Sequence, residues 1–115
     1  MEKDLESRTK TFSLAIIKFT AALPRTREAD VLSRQLLRSA TSVGANYREA
    51  NRRVSRADFA NKIGTVQKEA SETLYWIELL IDSGIAAAEP AKKLHKESFE
   101  LLAIFTAIGK KLKEN

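Results

Sequence analysis

Apolar residues return every three to four positions in four separate stretches of this chain, and a helix-stopping residue bounds each stretch. That period belongs to amphipathic helices, whose side chains recur on one face every 3.6 residues, and no stretch shows the two-residue alternation of a strand. The most informative segment is Gln35 to Val54, QLLRSATSVGANYREANRRV. At 100° per residue, Leu32, Leu36, Ala40, Val43, Tyr47, Ala50 and Val54 fall within about 80° of one another, while Arg34, Arg38, Arg48 and Arg52 cluster on the opposite side. Ser39, Ser42 and Asn46 line one flank, and Ser33, Leu37 and Gly44 the other. Small residues there would let a neighbouring backbone approach.

The flanking stretches read the same way. A first helix is expected from about Asp4 to Ala22, with Leu5, Phe12, Ile16, Phe19 and Leu23 on its core face and Pro24 ending it. Leu14 and Ile17 lie off that stripe, which calls for cover from outside the bundle. Thr26 is placed to cap the second helix, with Glu28 and Asp30 in the first turn where the helix dipole favours acids. That helix should end near Arg53, because Ser55 and Asp58 read as the cap of the next. The third is expected from Arg56 to about Ser83, with Phe59, Ile63, Val66, Ala70, Leu74, Ile77 and Ile81 inward and Gly84 as the left-handed stop. The fourth should start with Pro90 in its first position and run to about Lys113, along Leu94, Ser98, Leu101, Phe105, Ile108 and Leu112. Four amphipathic helices with short links pack most simply as an all-α, antiparallel up-down-up-down four-helix bundle, one domain over residues 1–115.

Composition narrows the function classes. The chain is 43% hydrophobic and 30% charged and has no cysteine, so disulfides, thiol catalysis and thiolate metal sites are excluded together. No apolar run approaches the roughly 18 residues of a membrane span, and MEKDLESRTK lacks the apolar segment of a secretion signal. A cytoplasmic protein without membrane contact is expected. The lone His95 is in no Glu-x-x-His frame, and the pairs Glu69/Glu72 and Glu97/Glu100 supply no imidazole, so no metal is expected. Ser39, Ser42, Ser55 and Ser71 have no nucleophile-activating partner, and Gly44, Gly64, Gly84 and Gly109 are too scattered for a phosphate loop. The expectation is a protein without catalytic residues or cofactor.

Charge and exposed aromatics point instead to binding surfaces. The net charge of +5 resides wholly in residues 25–56, which hold eight arginines, no lysine and the acids Glu28, Asp30 and Glu49. Arg34, Arg38, Arg48, Arg52, Arg53 and Arg56 are therefore the candidate nucleic-acid contacts, positive charge repeated along a line as a phosphate backbone requires. The rival is that the arginines pair with Glu69, Glu72 and Glu78 from a neighbouring helix or subunit, as an assembly device. Tyr75, Trp76 and Leu79 share a side of the third helix opposite Ile63 and Ile77, and with Glu72, Ser39, Ser42 and Asn46 they form the candidate oligomer interface. The alternative is that Trp76 widens the intramolecular core toward a neighbouring helix.

The runs RSATSVGANYREA (residues 38–50) and KEASETLYWIELL (residues 68–80), with Phe59 between them, resemble the bacterial four-helix-bundle family named for the 23S rRNA intervening-sequence protein. The resemblance covers most of the chain. It implies a small antiparallel bundle that assembles as a homo-oligomeric ring, a homopentamer, and a kinship with accessory subunits of reverse transcriptases in diversity-generating retroelements. Tyr47 and Arg48 depart from the Ile and Ala of much of that family, so roles for these two side chains belong to a subgroup. The partners so implied are further copies of the chain, RNA or DNA, and a nucleic-acid-processing protein; no enzymatic activity comes with the resemblance.

Overall fold

The computed structural model describes residues 2–114, with side chains from residue 4 onward. Four helices make up the fold: α1 (Glu2–Ala21), α2 (Arg27–Ala50), α3 (Arg56–Asp82) and α4 (Ala88–Lys113). Neighbours in sequence are neighbours in space, and α1 closes the bundle against α4, its slightest interface. The helices alternate in direction, since the start of α1 meets the end of α2 through Glu6 and Asn51, and the start of α3 meets the end of α4 through Arg56 and Leu112. The result is an antiparallel rod of 46 × 22 × 21 Å.

The helix ends follow the local chemistry. Thr26 Oγ1 accepts from the Ala29 N–H at 3.1 Å, and Ser55 Oγ accepts from the Asp58 N–H at 3.0 Å. Each such cap stabilises its helix by about 1 kcal/mol. Gly84 takes φ 78°, and the chain turns back so that the Ala86 N–H donates to the Leu80 carbonyl at 3.1 Å. Two boundaries differ from expectation. The second helix stops at Ala50, with Asn51 as its C-cap. Val54 consequently lies at the tip of the α2–α3 turn and is 93% exposed, not part of the core seam. The fourth begins at Ala88, so Pro90 is its third residue; a ring there is still tolerated, because N–H groups of the first turn have no intrahelical acceptor.

The core is a layered seam with spacings alternating between three and four. Buried positions are Leu36, Ala40, Val43, Tyr47 and Ala50 on α2, Ile63, Val66, Ala70, Thr73, Ile77 and Leu80 on α3, and Ala91, Leu94, Ser98, Leu101 and Phe105 on α4. Thr9, Phe12 and Ile16 continue the pattern on α1. This is the geometry of helices crossing at about 20° with knobs set into holes. Tyr47 meets Phe105 edge to face, ring centroids 5.2 Å apart, across the middle of the bundle. Leu80 is fully buried where the expected seam ran through Leu74 and Ile81, both of which are half-buried. The seam includes Thr9 and Thr73 because each hydroxyl reaches a carbonyl four residues back, Leu5 O at 2.8 Å and Glu69 O at 2.7 Å, which lets a polar side chain occupy a dry layer.

Candidate functional site

Both small-residue flanks of α2 are used inside the chain. Ser39 is fully buried, its Oγ 2.9 Å from Thr73 Oγ1 on α3. On the other flank, a Cβ added to Gly44 would stand 3.3 Å from Thr9 Oγ1 and 3.4 Å from Thr9 Cβ, so glycine sets the approach of α1. Ser39 therefore belongs to the α2–α3 contact and not to an outer surface, while Ser42 and Asn46 are half-buried, the Asn46 amide donating to the Ser42 carbonyl at 2.8 Å.

The arginines divide into two groups. Arg38 reaches across to α3, where its guanidinium pairs with Glu69 at 3.2 Å and with Glu72. Glu72 also accepts from Trp76 Nε1 at 3.3 Å. Glu69 and Glu72 thus sit in the α2–α3 seam, with only 15% of the Glu69 side chain exposed. Arg34 pairs with Asp30 one turn back at 2.7 Å, and Arg48 lies 3.8 Å from Glu6 on α1. Glu78 engages His95 Nε2 at 3.0 Å, not an arginine. A further arginine outside the stripe, Arg8, forks onto Glu97 with two 2.7 Å bonds and onto Glu100 at 2.8 Å, closing α1 on α4. Those bonds, Glu97 first, raise the pKa of its guanidinium further above its ordinary value against the opposing effect of burial.

The second group is different. Arg52, Arg53 and Arg56 surround the α2–α3 turn, are exposed, and form no ion pair among the described residues. Antiparallel packing brings the last turn of α4 to the same end, adding Lys110, Lys111 and Lys113. Arg56 donates to the Leu112 carbonyl at 3.1 Å, tying the two segments together, and Arg53 stacks over the Phe59 ring, 4.7 Å from its centroid. Among the described residues, six cations share this pole with Asp4, Glu6, Glu49, Asp58 and Glu114. Asp58 is turned toward the Val54 N–H at 3.3 Å. The sequence showed three of these cations as part of a longer stripe; the lysines join them only through the fold.

On the opposite side of α3, Tyr75 is 53% exposed and stands edge-on to Trp76 at 5.2 Å. Trp76 itself packs against the core cluster and Leu79 is half-buried, so the tryptophan does widen the intramolecular core toward its neighbours. Leu14, Ile17 and Phe99 are exposed on α1 and α4. No group of three or more potential metal-binding side chains occurs among the described residues, and no described helix is long and apolar enough to cross a membrane.

No protein among those with curated descriptions matches the chain. A crystal structure of a protein of unknown function from the S23 ribosomal protein family of Bacteroides thetaiotaomicron is similar to it, with 37% identity, a TM-score of 0.86, and coverage of 96% of this chain and 99% of the other. The family model for the 23S rRNA-intervening sequence protein matches residues 3–107, nearly the whole bundle. The chain belongs to the 23S rRNA-intervening sequence protein family.

Proposed function

We propose that this protein is a non-enzymatic helical bundle that binds nucleic acid, RNA in the first instance, or an RNA-handling complex, through the basic pole formed by Arg52, Arg53, Arg56, Lys110, Lys111 and Lys113. One observation carries the reading: Arg34, Arg38 and Arg48 are engaged by carboxylates of the same chain, whereas the arginines of the pole have no such partner among the described residues. Cations without a carboxylate partner keep their charge available to phosphates, and arginine's planar fork suits phosphate oxygens. The family's name refers to 23S rRNA, which agrees with an RNA ligand. Contacts of this kind are made by charge and position and carry little sequence preference. A cysteine-free chain also suits the reducing cytoplasm.

The test is the affinity for a labelled RNA as a function of salt, read by fluorescence anisotropy. If the pole neutralises four to six phosphates of a single strand, log K should fall against log salt with a slope of about −3 to −4. Absence of binding at low salt, or a slope near zero, would refute the proposal.

A second reading, self-assembly as a homo-oligomeric scaffold such as the pentamer implied by the resemblance, is favoured by the exposed Tyr75 beside Trp76 and by the exposed Leu14, Ile17 and Phe99. Light scattering on a sizing column tests it, and a monomer at micromolar concentration would exclude it.

A further inference from the structure

The basic pole contains more than charge. Between α3 and the end of α4 lies a hollow of about 270 Å³ lined by Ile108, Leu112, Arg56 and Lys111. Its floor is apolar and half-buried, and its rim carries two cations. The volume falls just short of the usual range for drug-sized ligands, roughly 300–1,000 Å³, and suits a fragment the size of one planar ring. One turn along α3 from Arg56 stands Phe59, with the Arg53 guanidinium over its ring, 4.7 Å from the centroid. Residues three apart on a helix are surface neighbours, so the hollow and the stack adjoin. A phosphate-only site has no use for an apolar seat flanked by cations, nor for a guanidinium held over an aromatic ring.

Resting on the nucleic-acid reading above, we infer that the pole takes single-stranded nucleic acid in preference to duplex, one unpaired base seated on Ile108 and Leu112 and a second stacked on the Arg53–Phe59 pair, with Arg52, Lys110, Lys111 and Lys113 on the intervening phosphates. Unpaired bases stack on aromatic rings and on arginine planes alike, and such stacking is sequence-tolerant because every base has a π-face. A duplex keeps its bases stacked on one another and offers this surface only phosphates.

The test compares three probes of matched phosphate number across the same series of salt concentrations: a 12-nucleotide uridine strand, a 12-nucleotide strand lacking its bases, and an RNA duplex. Wild-type protein should bind the uridine strand at least tenfold tighter than the abasic strand or the duplex. Ile108→Ser should weaken the uridine strand about fivefold or more while leaving the duplex affinity and the salt slope unchanged, its fold checked by thermal denaturation. The wild-type comparison stands even if that variant folds poorly. Equal affinity for all three probes, with a steep salt slope, would overturn the single-strand inference and leave the charge-based reading in place. Failure to bind any of them, or binding only to phosphatidylglycerol vesicles, would overturn both.

Discussion

Arg38 separates a structural arginine from a ligand-binding one, and the consequence of removing it can be worked out. Arg38→Met keeps the aliphatic stem over the α2–α3 seam but deletes the guanidinium that Glu69 and Glu72 share. Glu72 retains the Trp76 indole N–H. Glu69, largely covered, is left without its cation. Breaking a fully buried pair costs about 3–5 kcal/mol and an exposed pair about 0–1 kcal/mol; with Arg38 48% exposed and the Glu69 side chain 15% exposed, about 1–2 kcal/mol is expected. At about 2.1 cal/mol/K per residue, a chain of 115 residues has an unfolding entropy near 0.24 kcal/mol/K, so Tm should fall by about 4–8 °C. Adding Glu69→Gln to Arg38→Met should recover about 1 kcal/mol, because the stranded charge is gone, giving a clear interaction energy in the double-mutant cycle. Thermal and urea denaturation followed by circular dichroism provide the numbers, and anisotropy on the same samples provides RNA affinity. A Tm within 1 °C of wild type together with weaker RNA binding would refute the reasoning, for it would place Arg38 on the ligand and not in the seam.

Gly64 is exposed in the middle of α3 and a Cβ there would meet nothing within 4 Å, so Gly64→Ala should stabilise by about 0.5–1 kcal/mol from helix propensity alone, a rise of a few degrees in Tm. Gly44→Leu should do the reverse, wedging α1 from α2 at Thr9 and costing about 1–3 kcal/mol in a urea titration. Phe105→Ala removes a fully buried ring packed on Tyr47 and should cost about 3–5 kcal/mol. Far-ultraviolet circular dichroism of the wild type should be that of a helical protein, with no strand signature.

The fold was legible because each signal was local. Thr26, Ser55 and Gly84 mark their boundaries by chemistry that needs no tertiary partner, and the apolar spacing gives the helical faces. The departures are tertiary. Val54 continues the α2 stripe in angle, but Ser55 caps the next helix and Asn51 ends this one, so angle alone carried the seam too far. Thr9 and Thr73 look polar in a sequence, and only the backbone carbonyl four residues back reveals why each can be buried. The arginine stripe was seen as a line on one helix; which of its members were already engaged depended on Asp30, Glu6, Glu69 and Glu72, and the last three of these come from other helices. The rival assignment of arginines to acids on α3 was right in kind for Arg38, with the partner helix in the same chain. The pole was not legible, because Lys110, Lys111 and Lys113 lie more than fifty residues from Arg52 and meet it only through antiparallel packing.

The central claim is that binding resides in the cations of the pole and not in the paired arginines of the stripe. Two variants measured side by side against the same single-stranded RNA decide it: Arg52, Arg53, Lys111 and Lys113 all changed to Gln, and Arg34 with Arg38 changed to Gln. The first set should lose affinity by tenfold or more and flatten the salt slope by about 0.7 for each phosphate contact removed, at unchanged Tm. The second should lower Tm and leave both affinity and slope close to wild type. The opposite pattern, with the pole variant binding normally and the stripe variant losing binding at unchanged Tm, would contradict the account.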